Sequence, residues 1–443
     1  MRVSLISLGC SKNLVNSEQM LWLLDSAGHE LCGDASAADA VIVNTCGFIE
    51  SARAEAVEQI IELGLLKKDA AEKGASKTII VAGCMAERHK HEIFEEMPEV
   101  DGVVGCGSFD EIVKALDGAS RGEKPWMFGG LDAPVSETPR ILGTPPYTAY
   151  LKLAEGCDNR CAYCVIPGLR GGFRSRPMEN VIAEAQKLVR DGVKELTLVA
   201  QDTTRYGLDL YGRRVLPELI DKLCGIDGLR WLRLHYLYPS EVTEELIETI
   251  AKQPKCVKYF DIPIQHCNDR ILKSMGRRGG RAQLLETVKS IRAAMPDAVL
   301  RTSLIVGLPG ETDEEFEELC GFLRETKWER AGVFEYSPEE GSAAADMPGQ
   351  IDGDVKTKRR ELTEDIQREV MDAFNERQIG KTMEILCEGY DRLAECYYGR
   401  SVYDAPEVDG KVFFTSPKPV KAGEFVNVKI NDTLDCDLMG EST

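Results

Sequence analysis

The sequence has no apolar run long enough to cross a membrane, which excludes a spanning helix. No secretory leader is expected. "MRVSLISLGC" runs straight into a strand pattern, without a charged region, an apolar stretch and a small-residue cleavage site, so a cytoplasmic location is expected. Positive charge is in deficit: the net charge is −20. So acidic a chain repels phosphate backbones unless it carries a local basic patch, and a basic protein is an easier partner than RNA. There is no internal repeat and no low-complexity tract. The 443 residues, 43% apolar and 29% charged, suffice for two or three domains with cores of their own. Cysteine is what stands out. There are 15, an odd number, and where thiols stay reduced their clustering points to metal or catalysis rather than to disulfides.

Three of these cysteines end apolar strands: "VSLISLGC" at Cys10, "VIVNTC" at Cys46 and "IIVAGC" at Cys84. From residue 1 to about 125, strands at 3–9, 41–45, 79–83 and 100–105 alternate with amphipathic helices. The helix after Cys46 places Ala56, Ile60 and Leu63 on one face. This alternation predicts an open parallel sheet covered by helices, in which ligands bind beyond the carboxyl ends of the strands, where all three cysteines fall. A Gly-, Pro- and Ser-rich passage, "PVSETPRILGTPP" (134–146), reads as a linker.

A second series follows, with strands near 148–155, 195–200, 229–236, 258–264, 299–306 and 331–336. Six strand–helix units predict a partial, open α/β barrel with its site at the strand carboxyl ends. Residues 353–379 form a charged helix that Gly380 stops. Residues 380–441 hold short β-rich runs ("KVFFTS", "FVNVKI"), as in a small β-barrel, with 12 acidic against 7 basic residues, so this end module is itself acidic. The expected class is therefore α/β, with an N-terminal open parallel sheet (1–130), a linker (131–146), a central open barrel (147–379) and a C-terminal β-barrel (380–443).

The strongest chemical signal is "EGCDNRCAYCVIP", just after the first barrel strand: Cys157, three residues, Cys161, two residues, Cys164. A tetrahedral zinc site would want a fourth Cys or His nearby, and none follows at zinc-finger spacing. Three thiolates on a 4Fe-4S cluster leave one iron open. In spacing and placement the motif resembles the radical S-adenosylmethionine (SAM) superfamily, whose open iron chelates the methionine moiety so that the cofactor generates a 5'-deoxyadenosyl radical. That resemblance implies adenine contacts around "LIVGLPGETDEEF", at Gly307 and Gly310, although a glycine pair at a strand end also suits a tight turn. It implies contacts to the methionine amino group at Gln201 and Asp202 of "LVAQDTTRYG".

A second cysteine triplet in a preceding domain narrows the resemblance to the methylthiotransferases, which carry an N-terminal domain, a radical SAM domain and a C-terminal TRAM module. "LGCSKNLVNSE", "NTCGFI" and "AGCMAE" match positions where that family holds an auxiliary 4Fe-4S cluster, which assigns Cys10, Cys46 and Cys84 to it. "LKLAEGCDNRCAYCVIPGLRGGFRSR", "DIPIQHCNDRILKSM" and "YGRSVYDAPEVDG" resemble the branch that modifies an aspartate of ribosomal small-subunit protein S-twelve (uS12) rather than the branch acting on tRNA adenosine. An acidic end module suits a basic ribosomal protein.

The resemblance further implies that one SAM methylates a sulfur at the auxiliary cluster and a second yields the radical that removes hydrogen from the aspartate β-carbon. Both clusters must then border one cavity, and an electron donor and a sulfur source are needed. An arginine could bind the substrate carboxylate through two parallel hydrogen bonds. Arg170, Arg174 and Arg176 of "GLRGGFRSR" are candidates, the alternative being a solvated basic loop. Cys106 of "VDGVVGC" also ends a strand, as a neighbour or occasional ligand of the auxiliary cluster, although the family motif has no cysteine ligand there. His266 suits a hydrogen-bonded barrel position better than a metal. The remaining cysteines read as buried hydrophobes or plain thiols. A tRNA-modifying enzyme and a non-catalytic iron-sulfur ribosome-binding factor are the competing readings.

Overall fold

The computed structural model describes all 443 residues, Met1–Thr443. Its first sheet is parallel throughout, with strands β1 (Arg2–Ser7), β2 (Glu30–Leu31), β3 (Ala40–Thr45), β4 (Thr78–Gly83), β5 (Gly102–Val104) and β6 (Trp126–Met127) in the order β2-β1-β3-β4-β5-β6. β3 and β4 are buried along their whole length, as unbroken Val/Ile runs must be when helices cover both faces. The helices include α1 (Ser11–Ser26), α2 (Glu50–Glu72) and α3 (Cys84–His89). The residues buried on α2 are Ala56, Ile60 and Leu63, the face expected from periodicity. The strand order reverses between β1 and β3, and a crevice opens at such a reversal. Cys10 and Cys46 stand on its two sides. The edge strands β2 and β6 are two residues long and left no periodic signal in the sequence.

The second sheet contains β7 (Thr148–Lys152), β10 (Glu195–Val199), β11 (Trp231–Leu234), β12 (Cys256–Asp261), β13 (Val299–Val306) and β14 (Arg330–Glu335), all parallel and open, with β7 and β14 at the edges. The strand expected over 148–155 divides. Its end leaves the sheet as β8 (Ala154–Glu155) and pairs antiparallel with β9 (Arg174–Ser175), framing the loop that carries Cys157. Outward residues such as Leu196, Leu198, Leu232, Leu234 and Leu300 enter a core of 45 buried residues beneath the helices. Inward positions carry polar and charged groups instead, among them Lys152, Glu195, Arg233, His235, Asp261 and Arg330.

The charged helix runs Gly353–Glu376, three residues shorter than the span expected, and Gly380 follows at φ +85° before the last module. Strands β15 (Thr382–Asp391), β16 (Cys396–Arg400), β17 (Val412–Thr415), β18 (Phe425–Leu434) and β19 (Asp437–Ser442) close into a barrel. It docks on the amino ends of the second sheet, where Tyr147, Trp231, Val257 and Val299 pack with Leu386 and Ala405. Its loop 401–410 enters the concave face: Asp404 pairs with Arg330 at 3.0 Å, and the Tyr259 hydroxyl donates to Asp409 at 2.5 Å. Beneath them Glu195 accepts from Arg233 at 3.1 Å and from Arg400 at 2.6 Å.

The presumed linker is a strap rather than a free tether. Arg140 is almost fully buried, pairing with Glu18 of α1 and with Glu184 of the barrel helix Met178–Arg190 (2.6 Å), and donating to Tyr150 O at 2.6 Å. No helix is long and apolar enough to cross a membrane.

Candidate active site

The Cys157–Cys164 loop is held from several sides. Gly156, at φ +75°, leaves no room for a side chain, since a Cβ would stand 2.0 Å from Gly172 O. The Cys157 amide donates to Gly171 O at 3.1 Å, Asn159 Nδ2 donates to Asp202 at 2.8 Å, and the Ala162 amide donates to Met275 O at 2.8 Å. Arg277 donates to Pro263 O at 2.6 Å and to the Tyr163 hydroxyl at 3.2 Å, beside Cys161. Burial pushes the Cys157 thiol up to about 11 and the Cys164 thiol up to about 12, and charge on Cys161 adds to both. Thiols gathered in a poorly solvated loop in this way suit a cationic group that deprotonates them on binding.

Across from that loop, Cys10 caps α1, Cys46 follows β3 and Cys84 opens α3. Their loops touch: a Cβ on Gly9 would come 2.7 Å from the Cys46 Cβ, and one on Gly47 would come 2.7 Å from the Cys84 backbone. Burial pushes Cys46 up to about 11, and charge on Cys84 and Cys10 raises it further, so the three thiols share one field. Cys106 joins them, its Sγ 3.7 Å from that of Cys84. The hydrogen bond from Cys106 and the guanidinium of Arg170 favour the Cys84 thiolate, holding its pKa below the ordinary value while that of Cys106 rises. All seven of these cysteines are free. No three His, Cys, Asp or Glu side chains converge closely enough for one metal ion. One triplet lies along a single loop and the other is drawn from three strand ends, and three thiols without a fourth Cys or His suit a polynuclear group with one position left open better than a single zinc.

The two sheets meet with their carboxyl ends facing. Arg170, on the short helix Ile166–Arg170 after the cluster loop, reaches across. Its Nε lies 3.3 Å from Cys84 Sγ, its Nη1 donates to Glu155 at 2.8 Å and to Asn16 at 3.3 Å, and its Nη2 donates to Asn13 at 3.1 Å. Lys152 pairs with the same Glu155 at 2.9 Å. The Glu155 carboxyl is buried, yet Arg170 and Lys152 together hold it well below the usual range. On the other flank Arg88 of α3 binds Gly47 O at 2.9 Å and Glu339, beyond β14, at 2.8 Å.

The three candidate arginines thus separate. Arg170 is a buried bridge between the two thiol sets rather than part of a solvated loop. Arg176 is turned away: it pairs with Glu137 of the strap at 2.5 Å and Glu184 at 2.6 Å and donates to Lys152 O at 2.8 Å, which corrects its assignment to substrate. Arg174 meets only carbonyls, of Arg170 and Gly172, and its buried Nε has no partner.

Gln201 donates to Glu155 at 3.2 Å while its buried Oε1 stays free. Asp202 accepts from Asn159 of the cysteine loop on one oxygen and from Thr204 on the other. Gly307 (φ +76°) forms a tight turn, its amide and that of Leu308 donating to Glu311 at 2.8 and 3.2 Å, and a Cβ there would meet Lys356 at 2.4 Å. Gly310, also at φ +76°, has open space around it. His266 accepts the Asn268 amide at 3.0 Å, deep in the barrel wall.

Sequence reasoning passed over Lys12, Asn13, Asn16, Glu155 and Arg277. A signal existed for the first three. α1 is buried at Lys12, Asn13, Asn16, Ser17, Glu18 and Gln19, and polar residues at buried positions seek partners.

Comparison with known proteins agrees with this architecture. The model of the Radical SAM superfamily matches residues 151–323, that of an uncharacterized protein family, UPF0004, matches 2–105, and that of the TRAM domain matches 379–442. The chain is similar to "Ribosomal protein uS12 methylthiotransferase RimO" from Pelotomaculum thermopropionicum (49% identical, covering 100% of this chain and 99% of that one). The same protein from Clostridioides difficile is 46% identical, over 100% and 98%. Among solved structures, the radical S-adenosylmethionine methyltransferase TsrM from Kitasatospora setae superposes with a TM-score of 0.54, covering 75% of this chain and 72% of that one. At 15% identity this likeness speaks to fold alone.

Proposed function

Because this chain belongs to the RimO family of ribosomal protein uS12 methylthiotransferases, we propose that it adds a methylthio group to the β-carbon of an aspartate in uS12, using two 4Fe-4S clusters in one interdomain chamber. Cys157, Cys161 and Cys164 hold one cluster, and Cys10, Cys46 and Cys84 hold the other. When bound, the clusters and SAM supply one-electron chemistry at carbon and an iron site for sulfur. The observation that carries the reading is Arg170, which touches Cys84 of one set from the loop of the other and so draws both into one space.

The protein's own groups position and shield. The free Oε1 of Gln201 is the acceptor for the SAM ammonium, and Gly310 leaves the open floor on which an adenine ring can lie. Arg174, with an unpartnered Nε beside the cluster loop, is the arginine available to substrate. Asp202 and Arg277 fix the cluster loop, and Arg176 fastens strap to barrel. Loop 401–410 fills the foot of the open barrel and keeps bulk water from entering there. The net charge of −20, with an acidic end module, favours a basic protein substrate over tRNA. The domains follow as 1–130, 147–379 and 380–443, joined by 131–146. An electron donor and a sulfur source complete the reaction.

Anaerobic reconstitution tests the assignment. Wild-type protein is expected to bind about eight irons per chain, and the Cys10→Ala, Cys46→Ala, Cys84→Ala triple variant about four while still forming 5'-deoxyadenosine from SAM. Full iron content in that variant would remove the auxiliary cluster from these residues.

A further inference from the structure

Lys12 sits in the first turn of α1, two residues past Cys10, and is 6% exposed. No carboxylate pairs with it. Its ammonium lies 3.4 Å from the centroid of the Tyr236 ring, a contact that favours a desolvated cation but cancels no charge. Of the other cations facing the chamber, Arg170 and Lys152 both meet Glu155, whereas Arg174 meets only backbone carbonyls. Lys12, Arg170, Lys152 and Arg174 therefore face one carboxylate, besides the thiols of Cys10 and Cys84, in the middle of a molecule whose net charge is −20. Below them Asp261 is matched by Arg301 at 2.9 Å, and His235 is kept neutral by burial, so neither supplies the missing charge.

The platform under Lys12 is built for a fixed position. Tyr236 has φ +61°, a left-handed conformation that an aromatic residue rarely adopts. It is held there because its amide donates to Asp261 at 2.9 Å and its carbonyl accepts the Thr203 amide at 3.0 Å. Burying a cation without a counter-charge is costly, and the cost is met where a ligand brings the opposite charge.

We propose that Lys12 is the receptor for the side-chain carboxylate of the aspartate that the enzyme modifies. The ammonium anchors that carboxylate between the two thiol sets, so recognition of aspartate over its uncharged amide resides in Lys12, and Arg174 is left to the rest of the substrate. The proposal rests on the uS12 reading above and goes beyond it by naming the group that selects the side chain.

The test uses reconstituted holoenzyme, as wild type, Lys12→Met and Lys12→Arg, with peptides of the uS12 target loop carrying either aspartate or asparagine at the modified position. Iron content, 5'-deoxyadenosine formation and peptide Kd by fluorescence anisotropy are measured. Wild type is expected to prefer the aspartate peptide. Lys12→Met is expected to keep its iron and its SAM cleavage, to bind the aspartate peptide at least about tenfold more weakly, and to bind the two peptides alike. Lys12→Arg should restore part of the preference.

Undiminished preference in Lys12→Met overturns the proposal alone. Loss of iron in that variant would make Lys12 a counter-charge for the thiolates, and weakened SAM use with normal peptide binding would assign it to the SAM carboxylate; either result overturns the proposal. Wild-type enzyme that binds neither peptide would sink the uS12 reading together with this one.

Discussion

Buried ionisable side chains set the acid limit of this protein. His266 and His235 are held to about 3 and about 4 against an ordinary 6.5, chiefly because burial disfavours the imidazolium. A histidine with a depressed folded pKa is protonated first in the unfolded chain, so stability falls as pH drops below 6.5. Glu195 behaves as a paired carboxylate. Burial opposes its charge, but Arg400 and Arg233 prevail and bring it to about 2 from 4.5, so its contribution is intact above pH 4.5 and is lost as pH falls toward 2. Thermal melts between pH 8 and 3 should show a level Tm above about pH 7, a decline beginning near 6.5 and a steeper one below 4.5. A Tm unchanged from pH 7 to 5 would contradict this account of the histidines. At the same scale, what could be read from sequence differed by residue. Cys157, Cys161 and Cys164 announce themselves by spacing, whereas Arg176 looked like a site residue because its partner Glu137 lies 39 positions away in the strap. An unpaired Lys12 is invisible until the ring beneath it and the carboxylates around it have positions.

Among the elements, α1 and the strap are what join the sheets. α1 carries Cys10 at its cap, Asn13 and Asn16 toward Arg170, and Glu18 toward Arg140. Arg140→Ala would leave Glu18, buried and deprived of its ion pair, at a cost of about 3–5 kcal/mol. The cluster loop does not use Arg140. The expected result is therefore a lower Tm together with uncoupled turnover: 5'-deoxyadenosine forms at near the wild-type rate while methylthiolated product falls at least about tenfold. Equal losses in both would mean that the strap supports the barrel rather than the alignment of the sheets. Long periodic elements such as α2 and β13 were legible from pattern alone. The strap was read as a linker because its Pro and Gly content is that of a loop, and composition does not reveal that Arg140 has a buried carboxylate, Glu18, and a half-buried one, Glu184, to bind.

For the whole molecule, the account requires three modules to create one chamber: thiols from the first sheet, thiols from the second, and a barrel foot filled by the last module's loop 401–410. Each module was legible from its own pattern, since strands and helices follow local periodicity. Their mutual placement was not, because it depends on pairs such as Arg88 with Glu339 and Arg400 with Glu195, which lie 251 and 205 residues apart. The measurement that bears most directly on the central claim is mass spectrometry of uS12 and of total tRNA after anaerobic incubation with the reconstituted enzyme, SAM, a reductant and a sulfide source. The account predicts one methylthio addition on an aspartate of uS12, with fragment ions placing it on the β-carbon, and none on tRNA. Unmodified uS12, or a methylthio gain confined to tRNA adenosine, would contradict it.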